Sequence, residues 1–244
     1  MGSLGTAVLV TAAAGIGGTG LGGGAACLLR RKSDRMVSLM LSFAAGVMAG
    51  VVCFDLLAEA AASGGLGLTA GGVLLGFGLT GGLNSLLERR ADETGSRPHL
   101  FWAGVVMAMA IALHNMPEGM VIGASFAGGS AGSGWVMAAV IGLHNIPEGM
   151  AVSVPLAAGG ETRWKAMGIA ALTGVPTVLG AVLGYCLGTM GPTALVAALS
   201  FAAGAMLYVV FGELLPESAA LWKNRAPALA AVAGILVGMV IVYG

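Results

Sequence analysis

The chain has 244 residues and no net charge; 57% of it is hydrophobic and only 9% is charged, with a mean hydropathy of +0.94. A soluble domain carries about 25% charged residues, so a soluble globule is excluded, and no basic surface invites nucleic acid. Apolar runs of about 20 residues, enough to cross roughly 30 Å of hydrocarbon as helix, recur along the whole length, so the chain reads as one polytopic transmembrane domain over residues 1–244.

In chain order the runs predict an all-α membrane protein with eight transmembrane helices, over about 5–29, 36–60, 66–87, 100–125, 132–158, 164–188, 193–218 and 226–243. The connections are short, the longest running from Glu88 to His99, so no separate soluble domain is expected. No positive charge precedes the first run; a cleavable signal peptide is not expected, and the N-terminus should lie outside. All eleven Lys and Arg fall after the odd-numbered spans: Arg30, Arg31, Lys32 and Arg35; Arg89, Arg90 and Arg97; Arg163 and Lys165; Lys223 and Arg225. The positive-inside rule makes those loops cytoplasmic and puts both termini outside. The 43 glycines read as surfaces for close helix packing in lipid. "GIGGTGLGGGAA" lacks the lysine a phosphate loop needs. Cys27, Cys53 and Cys186 lie singly, without CxxC spacing, and read as small core residues.

Two internal repeats organise the chain. "SFAAGVMAGVVCFDLLAEA" (42–60) returns as "SFAAGAMLYVVFGELLPES" (200–218), which sets Met48 on Met206, Asp55 on Glu213 and Glu59 on Glu217. Five crossings separate the copies, so they run in opposite directions. "HNMPEG" (114–119) returns as "HNIPEG" (144–149) on the central antiparallel pair of spans. Together they give a 3+2+3 inverted-repeat architecture, the plan of many secondary transporters, whose site lies near mid-membrane where the halves meet. A channel or a structural membrane protein can carry repeats too.

On a helix, His114 and Glu118 share a face, as do His144 and Glu148. All four lie near mid-membrane, where a carboxylate is costly unless it is paired or holds a cation. Hydrogen-bonded His–Glu pairs that only stabilise the bundle would explain one motif, but poorly its repetition with Asn and Pro on two antiparallel helices. Pro117 and Pro147 are expected to free the carbonyls of Leu113 and Leu143 and to kink the helices open. Two imidazoles and two carboxylates suit borderline dications such as Zn²⁺, Fe²⁺, Mn²⁺ and Co²⁺, and their two negative charges neutralise one dication. Met48 is a candidate soft ligand, although a methionine in a span is more often packing. An HExxH protease places Glu beside the first His; Asn115 and Asn145 stand there instead, and an amide is a poor general base, so an enzyme is not expected. Asp55 and Glu59 fall towards the outer end of span two, and Glu213 and Glu217 towards the inner end of span seven. These pairs are candidates to collect and release cations, against a plainer reading as water-capped interfacial acids.

Eight spans with outside termini, the doubled HNxPEG and the paired "FAAGxM" elements resemble the ZIP (Zrt/Irt-like) metal transporter family, especially its bacterial GufA- and ZupT-like branches. The resemblance covers essentially the whole chain. It implies import of Zn²⁺, and often Fe²⁺, Mn²⁺, Co²⁺ or Cd²⁺, across the inner (cytoplasmic) membrane. It also implies elevator-type alternating access, spans one, four, five and six moving against the rest, often in a homodimer. The principal site it implies is His114, Glu118, His144 and Glu148 with Met48 nearby; a neighbouring one uses Asn115 and Asn145 and shares the glutamates. No resident cofactor is implied besides the transported metal. In "TGVPTVLGAVLGY" (173–185) Thr177 stands where many relatives carry Glu, so one strongly bound metal at a time is expected. The loop between spans three and four, often long and His-rich in the family, is short here and holds only His99, so metal sensing by it is not expected.

Overall fold

The structure is a computed structural model that describes residues 3–28, 34–92, 99–128 and 131–243. Its elements are α1 (Leu4–Ala12), π1 (Ala13–Gly17), α2 (Gly18–Leu28), α3 (Asp34–Val51), π2 (Val52–Leu56), α4 (Leu57–Asp92), α5 (His99–Gly128), α6 (Ala131–Ala158), α7 (Arg163–Thr173), α8 (Val175–Met190), α9 (Pro192–Tyr208), π3 (Val209–Leu214), α10 (Leu215–Leu221) and α11 (Ala226–Tyr243). No strand occurs among the described residues. Arg30, Arg31, Lys32 and Arg97 lie outside them, as do the side chains of His99, Cys27 and Arg90.

Local chemistry sets the breaks. The Ser3 hydroxyl accepts from Thr6 N at the start of α1, and Thr162 caps α7 in the same way through Lys165 N. Gly65, at φ 73°, divides α4 into two helices, a backbone conformation that only glycine adopts freely. Gly191, at φ 131°, separates α8 from α9, whose first residue is Pro192, where a missing N–H costs nothing. Four stretches among the described residues are apolar and long enough to cross a membrane: Leu4–Ala26, Asp34–Leu86, Arg163–Met190 and Pro192–Leu221. The second of these is the one that Gly65 breaks. α5 and α6 hold 30 and 28 residues, about 45 and 42 Å at 1.5 Å per residue. This is a multi-pass, all-helical membrane protein.

The helices pair as the inverted repeat requires. α3 lies along α11 as α9 lies along α4, and α5 lies along α8 as α6 lies along α2. Each of these four contacts is a reciprocal seating of glycine on backbone. A Cβ on Gly123 would strike the Ala181 carbonyl and one on Gly184 the Met120 carbonyl. The same holds for Gly149 on Thr19 with Gly22 on Ile146, for Gly46 on Ala231 with Gly234 on Phe43, and for Gly76 on Phe201 with Gly204 on Val73. Lipid offers no hydrophobic gain for helix association, so close backbone approach and its dispersion energy hold such pairs together.

Departures from α geometry follow the same symmetry. π2 and π3 fall at matching places in the two FAAGxM copies and carry Asp55 and Glu213. π1 in the first helical run matches the break at Gly174 between α7 and α8. By contrast α5 and α6 continue as helix through Pro117 and Pro147. Pro117 and Pro147 bring no N–H to the Leu113 and Leu143 carbonyls, and further departures from the helical ladder lie in the neighbouring helices, as π segments or a glycine break. π segments are rare and tend to occur at functional sites.

One symmetry-breaking contact stands at the α3–α10 junction. Ser38, Ser42 and Ser218 are buried and share hydroxyl hydrogen bonds of 2.6–2.9 Å. Ser200 matches Ser42, but Ala60 stands opposite in place of Ser218, and Ser200 Oγ has no partner among the described residues. The structure offers no physical reason for that difference.

Candidate metal site

Glu118 comes from the middle of α5; His144 and Glu148 come one turn apart on α6. Gly119 and Gly149, directly after the two glutamates, let α8 and α2 press against these turns. Glu118 and Glu148 are wholly buried and His144 is 5% exposed. One ligand atom from each of the three falls within 4.8 Å of the others, and His144 Nε2 lies 2.7 Å from Glu118 Oε1. The i,i+4 spacing places His144 and Glu148 on one face, but only the α5–α6 contact brings Glu118 to it. The side chain of His114 lies outside the described residues.

Both asparagines of the motif are buried. Asn115 Nδ2 donates to the Thr173 carbonyl at 2.6 Å. Thr173 ends α7, where Thr177 N bonds to Gly174 rather than one residue further back, which leaves the Thr173 carbonyl for the amide. Asn145 Nδ2 donates instead to the carboxylates, to Glu148 Oε2 at 3.1 Å and to Glu118 Oε2 at 3.2 Å.

The Asn145 amide thereby links the two carboxylates that converge from α5 and α6. Asn115 Oδ1 and Thr177 Oγ1 are buried and without hydrogen-bond partners among the described residues. Thr177 packs on Gly15 of π1, where an added Cβ would come within 2.5 Å of its hydroxyl. The donor set of one imidazole and several oxygens is of the type that borderline dications take.

Met48 is wholly buried in α3, within the apolar core that includes Leu41 and Val52. Asp55 on π2, Glu213 on π3 and Glu217 on α10 are half-buried, and Glu59 on α4 is exposed. Among the described residues the grouped ligand atoms come from Glu118, His144 and Glu148, and none of these four acids joins them. Sequence reasoning missed the Thr173 carbonyl. Nothing in a sequence marks a carbonyl as free, because that depends on where a helix departs from its own ladder.

Comparison with known proteins agrees with this architecture. A sequence profile described as ZIP zinc transporter matches residues 87–244. The zinc transporter ZIPB of Bordetella bronchiseptica is 33% identical over 228 residues, covering 84% of this chain and 71% of that protein. Zinc transporter ZupT of Chlorobium luteolum is 32% identical over 257 residues, 96% of this chain and 94% of that protein. Zinc transporter GufA of Myxococcus xanthus is 36% identical over 152 residues, 61% and 60% of the two chains. All three are named as transporters, none as an enzyme. With a matching profile over more than half its length and a relative aligned nearly end to end, the chain belongs to the ZIP zinc transporter family.

Proposed function

We propose that the protein imports a divalent cation, Zn²⁺ foremost and Fe²⁺, Mn²⁺, Co²⁺ or Cd²⁺ as alternatives, across the cytoplasmic membrane through the site between α5 and α6. The observation that carries this reading is the convergence of Glu118, His144 and Glu148, whose ligand atoms lie within 4.8 Å of one another in a buried position between the two central helices. Two carboxylates and a dication make a neutral loaded site, which removes most of the cost of burying each charge alone. His114, four residues before Glu118, completes the His/Glu set, and Met48 is a further soft ligand. No resident cofactor is needed.

The whole chain acts as one transmembrane domain of eight spans with both termini outside. Access alternates by an elevator movement. Packing supports it: α1, α2, α5, α6, α7 and α8 hold to one another, as do α3, α4, α9, α10 and α11. The two groups touch where α5 crosses α9, α8 meets α9, α3 crosses α6 and α4 crosses α5. Assembly as a homodimer through the second group would leave the first free to move.

Thr177 offers only a neutral hydroxyl, and two carboxylates cannot balance two dications. Equilibrium dialysis with ⁶⁵Zn²⁺ should therefore give one strongly bound zinc per chain. Two of equal strength would contradict the role given to Thr177.

The decisive experiment is Zn²⁺ uptake by proteoliposomes holding the purified chain. A carrier gives uptake that saturates; uptake that rises linearly with zinc would mean a channel, and none above empty vesicles would sink the reading. In the same vesicles, Asp55→Asn with Glu59→Gln should reduce uptake at low zinc more than at saturation, as expected of acids that gather cations at a mouth.

A further inference from the structure

We infer that a cavity at the junction of α3, α10 and α11 holds the headgroup phosphate of an anionic phospholipid. The site is separate from the α5–α6 cluster, and the inference does not rest on what ion the protein carries.

The cavity forms where α10 stops. Trp222 leaves the helix in an extended conformation, at φ −146° and ψ 100°, and α11 begins at Ala226. Trp222 N still bonds to the Ser218 carbonyl at 3.2 Å, and that carbonyl also accepts from Ser38 Oγ at 2.7 Å. The Ser42 and Ser218 hydroxyls are 2.6 Å apart, so the end of α10 is pinned on α3. Beside it lies a cavity of about 200 Å³. Sites that enclose a whole small ligand run to roughly 300–1,000 Å³, so this one suits part of a molecule whose remainder lies outside. Leu215, Ala219 and Pro227 give it apolar lining; Trp222, Lys223 and Asn224 give it polar lining. A lining of both kinds suits an amphipathic ligand.

The polar side is made for an anion. Among the described residues no carboxylate pairs with the exposed Lys223 ammonium. Asn224 Oδ1 accepts from Ala226 N at 3.0 Å, which fixes the amide and leaves Nδ2 to donate elsewhere. Ala228, also in the lining, stands in the first turn of α11, where an N–H has no acceptor within its own helix. The Arg35 guanidinium lies 5.5 Å from the centre of the Trp222 ring, a cation–π distance, and brings a second positive charge alongside. Two acids are near in the chain. Glu217 is two positions from both Leu215 and Ala219, hence on another face of α10, and Asp34 offsets one of the three charges of Arg35, Lys223 and Arg225. Tryptophan beside basic residues at a helix end is the signature of the membrane–water boundary, the depth of lipid phosphates. A soluble anion would use the polar lining alone and an uncharged lipid the apolar lining alone; an anionic phospholipid uses both.

The test uses the whole chain, purified in mild detergent without zinc, with dioleoylphosphatidylglycerol as the probe. Native mass spectrometry should show this lipid retained in preference to dioleoylphosphatidylcholine. Lys223→Gln should weaken its retention roughly fivefold, the effect of one cation at a lipid surface. Ala219→Leu fills the cavity without touching its charge and should weaken retention as well; it also serves should the lysine variant not accumulate. Lys165→Gln, which removes an exposed cation from α7, should leave retention unchanged. Equal retention of the two lipids, full retention in Ala219→Leu, or a loss in Lys165→Gln as large as in Lys223→Gln overturns the inference. Inorganic phosphate that raises the melting temperature as much as the lipid does would make the ligand a soluble anion and overturn it too.

Discussion

Glu118→Ala should abolish saturable zinc uptake while leaving a folded protein. The Glu118 carboxylate links the two central helices through polar contacts: Oε1 meets His144 Nε2 at 2.7 Å, and Oε2 accepts from Asn145 Nδ2 at 3.2 Å. Its removal leaves Glu148 as the remaining carboxylate of the grouped ligands, so a bound dication keeps an uncompensated positive charge in a buried place. Breaking one partner of a buried charge pair costs about 3–5 kcal/mol, which is roughly 10²- to 4 × 10³-fold in affinity. At micromolar zinc such a loss is indistinguishable from no transport in a vesicle assay. Folding should survive, because the site lies beside the glycine-seated contacts that hold α5 to α8 and α6 to α2 and does not form them. A far-UV spectrum and a melting curve close to wild type would verify this. Full uptake by Glu118→Ala would mean that the buried cluster is structural, and the proposed route would be wrong.

The second large effect concerns stability. Gly123→Leu should lower the melting temperature steeply or prevent accumulation, whereas Gly82→Leu should be tolerated. A side chain at 123 would enter the Ala181 carbonyl and the Tyr185 amide nitrogen of α8, both backbone, which cannot rotate aside. Overpacking costs typically about 1–3 kcal/mol, and more where the neighbour is rigid. Gly82 has nothing within 4 Å of an added Cβ, and replacing an exposed helical glycine gains about 0.5–1 kcal/mol of helix propensity. Fluorescence-detected melting of the two detergent-purified variants separates the effects, since the same residue is added in both. Similar melting of the two variants would show that the reciprocal glycine contacts do not hold the helices together.

The sequence by itself was enough for the class of protein and for the internal symmetry. Its hydropathy comes from composition, and the constant offset between residues 42–60 and 200–218 is visible without coordinates. The helical runs agree with the expected runs to within a few residues, because Gly65, Gly191 and the cap residues Ser3 and Thr162 act locally. The i,i+4 spacing of His144 and Glu148 likewise implied a shared face. Local rules read well where neighbours in sequence are also neighbours in space.

Other features depended on partners distant in the chain. Pro117 and Pro147 announce a missing ladder bond in α5 and α6 by their own chemistry, whereas the irregular backbone at π1, π2, π3 and Gly174 carries no such mark. A π insertion is a compromise between a helix and what packs on it, so no short motif announces it. Asn115 and Asn145 are the same residue in the same motif, but one donates to the Thr173 carbonyl at 2.6 Å and the other to the Glu118 and Glu148 carboxylates. That difference depends on which helices approach the two motifs. Sequence alone determined a helical membrane protein built on an inverted repeat, with acids and imidazoles in its middle, since hydropathy, periodicity and repetition are properties of the chain. Only the tertiary structure decided which groups meet at Glu118 and which backbone carbonyl holds the Asn115 amide, because those contacts join residues 26 and 58 apart in the sequence through helix packing.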